Sequence, residues 1–127
     1  MVKDKAYYDS LTELIMGCAF SVSNILGCGF LEKVYENALL LELEDSGLRV
    51  EPQKQIRVFY KEKVVGDYIA DMVVEGEIIV ELKATKSIEN IHFAQCQNYL
   101  KATGNKLGLI INFGEEKVKV RRVANGI

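Results

Sequence analysis

The 127-residue sequence has no tryptophan, one proline, one histidine and three cysteines, and these shortages narrow the class of protein. With a single histidine, His92, and no Cys-x-x-Cys pair, the chain lacks the ligand spacing of a zinc site. Cys18, Cys28 and Cys96 are an odd number in apolar or helical surroundings, which predicts buried free thiols. Free thiols persist in a reducing compartment, so we expect a cytoplasmic protein.

Long apolar stretches and an excess of positive charge are also missing. No stretch approaches the roughly 20 apolar residues that span a bilayer, and residues 1–5 lead into polar sequence and not into the apolar centre of a signal peptide. We therefore expect no membrane span and no secretion signal. The formal net charge is −2, which argues against a sequence-independent nucleic-acid coat protein, because such proteins are usually basic. Phosphate binding requires a local basic patch or a bound cation.

The composition is that of a globular protein, with 49% hydrophobic and 27% charged residues. A chain of this length is typical of one domain, and it buries roughly two thirds of its unfolded surface without disulfides or a structural metal. The sequence has no repeat, low-complexity stretch or linker. We therefore expect residues 1–127 to form a single domain.

The first third of the sequence predicts two helices. Ser10 and Glu13 have the spacing of a capping box and predict the start of the first helix. An apolar stripe of helical period follows, made of Leu11, Leu14, Ile15, Cys18, Ala19, Val22, Ile25 and Leu26. Gly27 and Gly29 end this helix, and a second runs from about Phe30 to Asp45. The leucines at 39–41 and 43 exceed what one core stripe needs, which suggests a second buried face.

The rest of the sequence predicts strands around a third helix. Extended segments are expected at Gln55–Tyr60, Val64–Val74 and Glu77–Lys83, with a polar turn at Lys61–Lys63. The third helix runs from near Ser87 to Gly104. A buried strand follows at Leu107–Asn112, and an edge strand at Lys117–Arg121. This order predicts an α/β sandwich whose sheet is antiparallel at first and has a helical crossover later.

Two acidic residues interrupt the apolar sequence of neighbouring strands. Asp71 lies in the second strand, and Glu81 and Lys83 follow the run Ile78–Val80 in the third. The two acids share a face only if paired residues have an even sum of numbers. A three-residue loop at Val74–Gly76, with Gly76 in the left-handed conformation, gives that parity and is the loop we expect. A two-residue turn would put the acids on opposite faces.

Paired carboxylates without thiolate ligands favour Mg²⁺ or Mn²⁺ over Zn²⁺. Asp71 and Glu81 are the candidate ligands, and Glu32 in the second helix is a candidate third carboxylate. A lysine beside the metal, Lys83, suits stabilisation of a phosphate's charge or control of the attacking water. The alternative is a surface salt bridge on an ordinary hairpin, with Glu32 a solvated helix residue.

The third helix carries a polar and aromatic face. His92, Gln95 and Tyr99 recur at helical spacing, and the helix follows the strand with Glu81 and Lys83. Gln95 and Tyr99 suit hydrogen bonding to phosphate oxygens or metal-bound water. The alternatives are a half-buried core tyrosine and a solvated glutamine, and His92 fits a capping or surface role better than a ligand role.

The last strand carries a row of cations. Lys117, Lys119 and Arg121 alternate along it, next to Arg122, and suit contact with a phosphate backbone. Lysines that protect an edge strand from pairing with another chain are an equally good interpretation.

These residues together resemble the GxxExxY protein family of the PD-(D/E)XK nuclease superfamily. The resemblance covers about residues 10–122, and Ala70 stands where the name of the superfamily has proline. It rests on five motifs in order: Gly29–Tyr35 as GxxExxY, Asp71, Val80–Ala84 with Glu81-Leu82-Lys83, Gln95–Tyr99 as QxxxY, and Gly108–Gly114.

The resemblance implies a fold and a set of roles. The fold is a restriction-endonuclease-like αβββαβ core, with a central mixed sheet flanked by helices. The implied metal ligands are Asp71, Glu81 and Glu32, with Lys83 assisting the nucleophilic water and Gln95 and Tyr99 supporting the site. We therefore expect metal-dependent phosphodiester hydrolysis of DNA or RNA.

The alternative function is a catalytically silent nuclease-fold module that binds a protein. Small size and acidic charge support it, and they also suggest assembly. A protein–DNA interface buries on the order of 1,000 Å² or more of protein, which is a large demand on a chain of this size. A homodimer or a protein partner is therefore expected.

Overall fold

The computed structural model describes residues 3–127, and these residues form three helices and five strands. Met1 and Val2 lie outside the described residues. Both belong to the expected domain 1–127 and to the N-terminal segment in which we expect no secretion signal. The elements are α1 (Lys5–Leu26), α2 (Glu32–Asp45), β1 (Val50–Tyr60), β2 (Lys63–Val74), β3 (Ile78–Lys83), α3 (Asn90–Thr103), β4 (Leu107–Asn112) and β5 (Lys119–Ala124).

The five strands form one mixed sheet in the order β1-β2-β3-β4-β5. The first three strands pair antiparallel, β3 and β4 pair parallel, and β4 and β5 pair antiparallel. The parallel pair requires a crossover, and α3 supplies it. The expected αβββαβ core with a central mixed sheet and flanking helices is confirmed.

Helices cover both faces of the sheet, so the core has two parts. One cluster packs α1 and α2 against alternate strand residues such as Val80, Leu109 and Ile111. The other packs α3 against the opposite face, with Ile79 and Ile110 at its centre. The β-branched run Ile78–Val80 is fully buried, because β3 contributes to both clusters.

The helix starts differ from the expected ones. The capping box at Ser10 and Glu13 is wrong, because α1 begins a turn and a half earlier, at Lys5. Asp4 is the N-cap, and its Oδ1 accepts a hydrogen bond from the Tyr7 N–H at 3.1 Å. Tyr8 is buried and extends the apolar stripe upstream of Leu11, which explains the earlier start. Two members assigned to that stripe, Leu14 and Ile25, are exposed.

The strand bounds differ at the two edges of the sheet. β1 begins at Val50 and includes Pro52, which an edge strand tolerates because its outer N–H groups need no partner. β5 runs Lys119–Ala124, so the expected strand Lys117–Arg121 starts too early and Lys117 lies in the bend before it. Among residues 3–127, no helix is both long and apolar enough to cross a membrane.

Candidate active site

The β2–β3 hairpin brings the two acidic residues to the same face. Val74 pairs with Ile78, and Met72 pairs with Val80. The loop therefore has three residues, Glu75–Glu77, with Gly76 left-handed at φ 68°. The expected loop length and the role of Gly76 are confirmed, although the loop lies one residue later than Val74–Gly76. The regular pairing ends at Met72 and Val80, and Asp71 and Glu81 are the next residues of the two strands beyond it.

Side chains replace the regular ladder at that point. The Asp71 N–H donates a hydrogen bond to Glu81 Oε2 at 2.7 Å. The Leu82 N–H donates in return to Asp71 Oδ2, also at 2.7 Å. Each carboxylate is therefore held by the main chain of the other's strand, and the two carboxylates are fixed beside each other.

The neighbouring strand is also irregular here. The β1–β2 register passes from Pro52–Met72 to Lys54–Ala70 and leaves out Gln53 and Asp71. Gln53 has a positive φ of 52°, which is unusual for a residue with a side chain. This local break leaves Asp71 free of ladder pairing to β1.

The first turns of α2 lie against this break. Gln53 Nε2 donates to Glu36 Oε2 at 2.9 Å, and Lys33 Nζ pairs with the same oxygen at 2.7 Å. Glu36 is buried, unlike most glutamates on a helix. Because Glu32 lies one turn before Glu36, α2 presents its first residue close to the carboxylate pair.

Burial raises the pKa of both strand carboxylates, so both resist ionisation. Burial raises the pKa of Glu81 to about 8, and the nearby charge of Asp71 adds to that rise. Burial also raises the pKa of Asp71, against the opposing effects of the Leu82 N–H and Lys83. Burial and then Asp71 raise the pKa of Glu32, while Lys83 lowers it. The three acids and Lys83 therefore share one electrostatic environment.

The positions of Asp71 and Glu81 are unfavourable for two adjacent negative charges and favourable for binding a divalent cation. The buried Glu81 and the partly buried Asp71 repel one another when both are ionised, and a hard cation bound by their oxygens would remove that repulsion. Mg²⁺ is commonly held by one or two carboxylates and several waters, which matches the pair Asp71 and Glu81. Within residues 3–127, no three or more His, Cys, Asp or Glu side chains converge as a metal-binding cluster. Glu32 is thus near the pair but does not complete a three-carboxylate cluster.

A buried asparagine fixes the strand end that carries Lys83, and the sequence reasoning assigned it no role. Asn112 is the register partner of Lys83 and is fully buried. Its Oδ1 accepts the N–H groups of Thr85 and Gly114, and its Nδ2 donates to Thr85 O and to Glu115 Oε2. All four bonds lie between 2.8 and 3.0 Å. The signal in the sequence was a polar residue closing an otherwise apolar buried strand.

A tyrosine anchors the start of α2. The Tyr35 hydroxyl donates to Gly27 O at 2.6 Å and accepts the Phe30 N–H at 3.2 Å. Its ring stacks on Phe113, with centroids 4.8 Å apart and planes at 4°. These bonds hold the segment between α1 and α2, so α2 begins at Glu32 and not at the expected Phe30. The last residue of the GxxExxY spacing therefore positions the glutamate three residues before it.

The residues of α3 lie to one side of the carboxylates. Tyr99 is buried in the core cluster that contains Ala70 and Ile79. Burial raises its pKa to about 12, and Glu81 and Asp71 contribute to that rise. Gln95 lines a cleft next to Tyr99 and makes no hydrogen bond among the described residues. Tyr99 is thus close enough to the pair to sense its charge, and neither residue makes a hydrogen bond to it among the described residues.

The one histidine caps α3. His92 Nδ1 accepts the Glu89 N–H at 3.0 Å and completes a capping box, so the capping interpretation is confirmed. The helix starts at Asn90, three residues after the expected Ser87, because this box closes its first turn.

The cationic row lies at the far edge of the sheet. Lys119 and Arg121 are on β5, which β4 separates from β3, while Lys117 precedes the strand. Arg122 pairs with Asp9 of α1 at 2.8 Å. The row is therefore two strands away from the carboxylate pair.

Comparisons with known proteins cover nearly the whole chain. A family model described as the PD-(D/E)XK nuclease superfamily matches residues 9–123. The solved structure of a protein called SSO0001 aligns with a TM-score of 0.57 and 19% identity, over 96% of this chain and 61% of its own. An alkaline exonuclease, LHK-Exo from Laribacter hongkongensis, aligns with a TM-score of 0.55 and 13% identity, over 98% of this chain and 72% of its own.

At these identities the two structures show a shared fold. The restriction-endonuclease-like architecture is thereby confirmed. The chain spans less than two thirds of the length of SSO0001. No curated protein matches the sequence significantly.

Proposed function

We propose, because the chain belongs to the PD-(D/E)XK nuclease superfamily, that it hydrolyses phosphodiester bonds of nucleic acid with the help of a divalent metal ion. The arrangement of Asp71 and Glu81 carries this proposal. Their carboxylates are fixed side by side by main-chain N–H groups and are kept from easy ionisation by burial. The GxxExxY spacing at Gly29–Tyr35 supports assignment to the GxxExxY type within the superfamily.

The proposed roles follow from position and chemistry. Asp71 and Glu81 would hold Mg²⁺ or Mn²⁺, and Glu32 would contribute from the start of α2. A divalent ion held by these residues would supply positive charge that polarises the scissile phosphate. Lys83 is two residues after Glu81 on β3, so it lies on the same face of the strand. Its ammonium group would orient the attacking water and stabilise negative charge on the phosphate.

The remaining predicted residues have supporting roles in this proposal. Gln95 and Tyr99 would position the substrate from α3, because both line one cleft and the charges of Glu81 and Asp71 contribute to the raised pKa of Tyr99. Lys117, Lys119 and Arg121 would contact the phosphate backbone beyond the cleavage point. A homodimer or a protein partner would enlarge the surface available to the nucleic acid.

The free cysteines support action in the reducing cytoplasm. Within residues 3–127, Cys18, Cys28 and Cys96 are all unpaired; Cys18 and Cys96 are buried, whereas the expected burial is wrong for Cys28, which is exposed in the segment between α1 and α2. An exposed free thiol is typical of a protein kept in reducing conditions.

The test is a cleavage assay with Mg²⁺ or Mn²⁺ on labelled single- and double-stranded DNA and RNA. Lys83→Ala should leave the fold intact and slow cleavage by about 100-fold or more, in line with the loss of one electrostatic group at a reacting centre. Lys86→Ala, which removes an exposed lysine from the loop after β3, is the matched control and should cleave at the wild-type rate.

Two outcomes would contradict the proposal. Equal cleavage by wild type and Lys83→Ala would indicate a contaminating nuclease. If the wild-type protein cleaves none of the substrates and binds no divalent metal, the protein-binding module would be favoured instead.

A further inference from the structure

A cleft of about 730 Å³ opens between the β1–β2 hairpin and α3. Its volume is in the range of about 300–1,000 Å³ that is usual for ligand sites. Phe59 and Tyr68 line it from the hairpin, and Gln95, Asn98, Tyr99 and Lys101 line it from the helix.

The hairpin wall is aromatic and partly exposed. Tyr68 is 48% exposed and Phe59 is 60% exposed. Tyr68 also contacts the Tyr99 ring, with centroids 5.8 Å apart. Large aromatic side chains at a surface cleft are typical of a stacking platform for a planar ligand.

The helical wall offers hydrogen bonds. Gln95 and Asn98 are three residues apart, so they lie on one face of α3. Neither side chain takes part in any hydrogen bond within the described part of the chain. A carboxamide both donates and accepts, which suits the mixed donor and acceptor edge of a nucleobase.

The charge of the cleft favours an anionic ligand. Lys101 is the one ionised side chain among its described lining residues, and no carboxylate lines it. The chain as a whole has a formal net charge of −2, so this surface is locally more favourable to an anion than the average surface of the protein.

One residue, Tyr99, relates the cleft to the candidate active site. Tyr99 lines the cleft and packs in the same core cluster as Ala70 and Ile79. Ala70 precedes Asp71 on β2, and Ile79 is two residues before Glu81 on β3. Tyr99 therefore packs between the cleft and strand residues that neighbour the two carboxylates along the chain.

We propose that this cleft binds an unpaired nucleobase, so that the substrate is a single-stranded nucleic acid or an unpaired end. The proposal rests on the function proposed above and names its substrate class. A base inside a duplex is stacked between its neighbours and shows only its edges, so it cannot stack on Tyr68 or Phe59. A single strand exposes the flat faces that an aromatic platform binds.

The test is fluorescence anisotropy of the full chain with labelled oligothymidine, oligouridine and a labelled duplex, in Ca²⁺ to supply a divalent charge. Tyr68→Ala and Phe59→Ala should each weaken single-strand binding by about 5- to 100-fold, the usual effect of losing one stacking residue. Tyr68→Phe keeps the ring and should bind within about two-fold of wild type. Ile69→Ala removes an exposed apolar residue of β2 that does not line the cleft, and it should bind like wild type.

The outcomes separate this proposal from the nuclease proposal. Unchanged single-strand affinity in both Tyr68→Ala and Phe59→Ala, or duplex binding as tight as single-strand binding, would overturn the role of the cleft even if the chain cleaves nucleic acid. Single-strand binding that depends on both rings supports the cleft even if Lys83→Ala shows no effect on cleavage. Loss of binding in Ile69→Ala as well would indicate a general surface effect and would also overturn the proposal.

Discussion

Asp71 and Glu81 exchange hydrogen bonds with the main chain of each other's strand, each bond 2.7 Å long. This arrangement keeps two like charges adjacent in a buried place, which opposes folding unless a proton or a cation compensates. The stability of the protein and the proposed binding of a metal ion therefore depend on the same two side chains.

Glu81→Gln should separate stability from metal binding. The amide oxygen can still accept the Asp71 N–H, while the buried negative charge is lost. We expect the free energy of unfolding without metal at pH 8 to rise by about 1–3 kcal/mol, since each unit of pKa shift corresponds to about 1.4 kcal/mol. We also expect the stabilisation by Mg²⁺ or Mn²⁺ to disappear. Urea denaturation with and without metal measures both effects, and undiminished metal stabilisation would refute the ligand role of Glu81.

The stability of the metal-free protein should fall as pH rises. Glu81 has its pKa raised from 4.5 to about 8 on folding, so between these values the folded state holds a proton that the unfolded state releases. Its contribution is complete below about 4.5 and is lost as pH rises through about 8, and the raised pKa of Asp71 acts in the same direction. Thermal unfolding in a chelator from about pH 5 to about pH 8.5 tests this sign. Because Glu81→Gln removes the group, that variant should show a flatter profile.

Tyr35→Phe should weaken both the fold and the site. It removes the hydroxyl that bonds to Gly27 O and to the Phe30 N–H but keeps the ring stacked on Phe113. We expect the free energy of unfolding to fall by about 1–2 kcal/mol. We also expect slower cleavage than in the wild-type protein, because Glu32 would be displaced. Tyr60→Phe, at a tyrosine that is 63% exposed, is the control for loss of a phenolic hydroxyl. Equal stability of the two variants would contradict the anchoring role.

Two glycines should respond oppositely to alanine. A Cβ at Gly114 would collide with the main chain of Thr85, in the segment that follows Lys83. Gly114→Ala should therefore lower the free energy of unfolding by about 3 kcal/mol. Gly17 is exposed within α1, and a methyl group added there would have no neighbouring atom within 4 Å, so Gly17→Ala should raise stability by about 0.5–1 kcal/mol. Chemical denaturation of the two variants compares the signs directly.

The sequence predicted that Asp71 and Glu81 would lie together, because the parity of pairing in a hairpin decides which residues share a face. An even residue sum was enough to bring Asp71 and Glu81 together, and the observed Met72–Val80 pairing has that parity. The helix starts were less predictable, because they depend on contacts with distant residues. The N-cap of α1 is Asp4 and not Ser10, because the helix includes the buried Tyr8. The start of α2 depends on the hydrogen bond from Tyr35 to Gly27 O, which local sequence patterns do not reveal.

The environment of the site was the least predictable part. The buried Asn112 bonds to Thr85, which lies 27 positions earlier, and no local pattern reveals such a partner. The irregularity at Gln53 is equally hidden, since a positive φ at a glutamine follows from the break in pairing opposite Asp71 and not from the residue itself. The predicted start of β5 was two residues too early. The alternation of charged and apolar residues begins at Lys117, in the bend before the strand, and so does not mark where the strand begins.

The three-residue loop Glu75–Glu77 has a consequence for how this protein tolerates changes in length. A surface hairpin loop is usually a place where insertions and deletions are neutral. Here the insertion or deletion of one residue would turn Asp71 to the opposite side of the sheet from Glu81, unless a β-bulge compensated for the change in length. Such a change in loop length would leave every candidate site residue in the sequence and still separate Asp71 from Glu81. Loop length, as much as residue identity, is therefore a character on which selection would act.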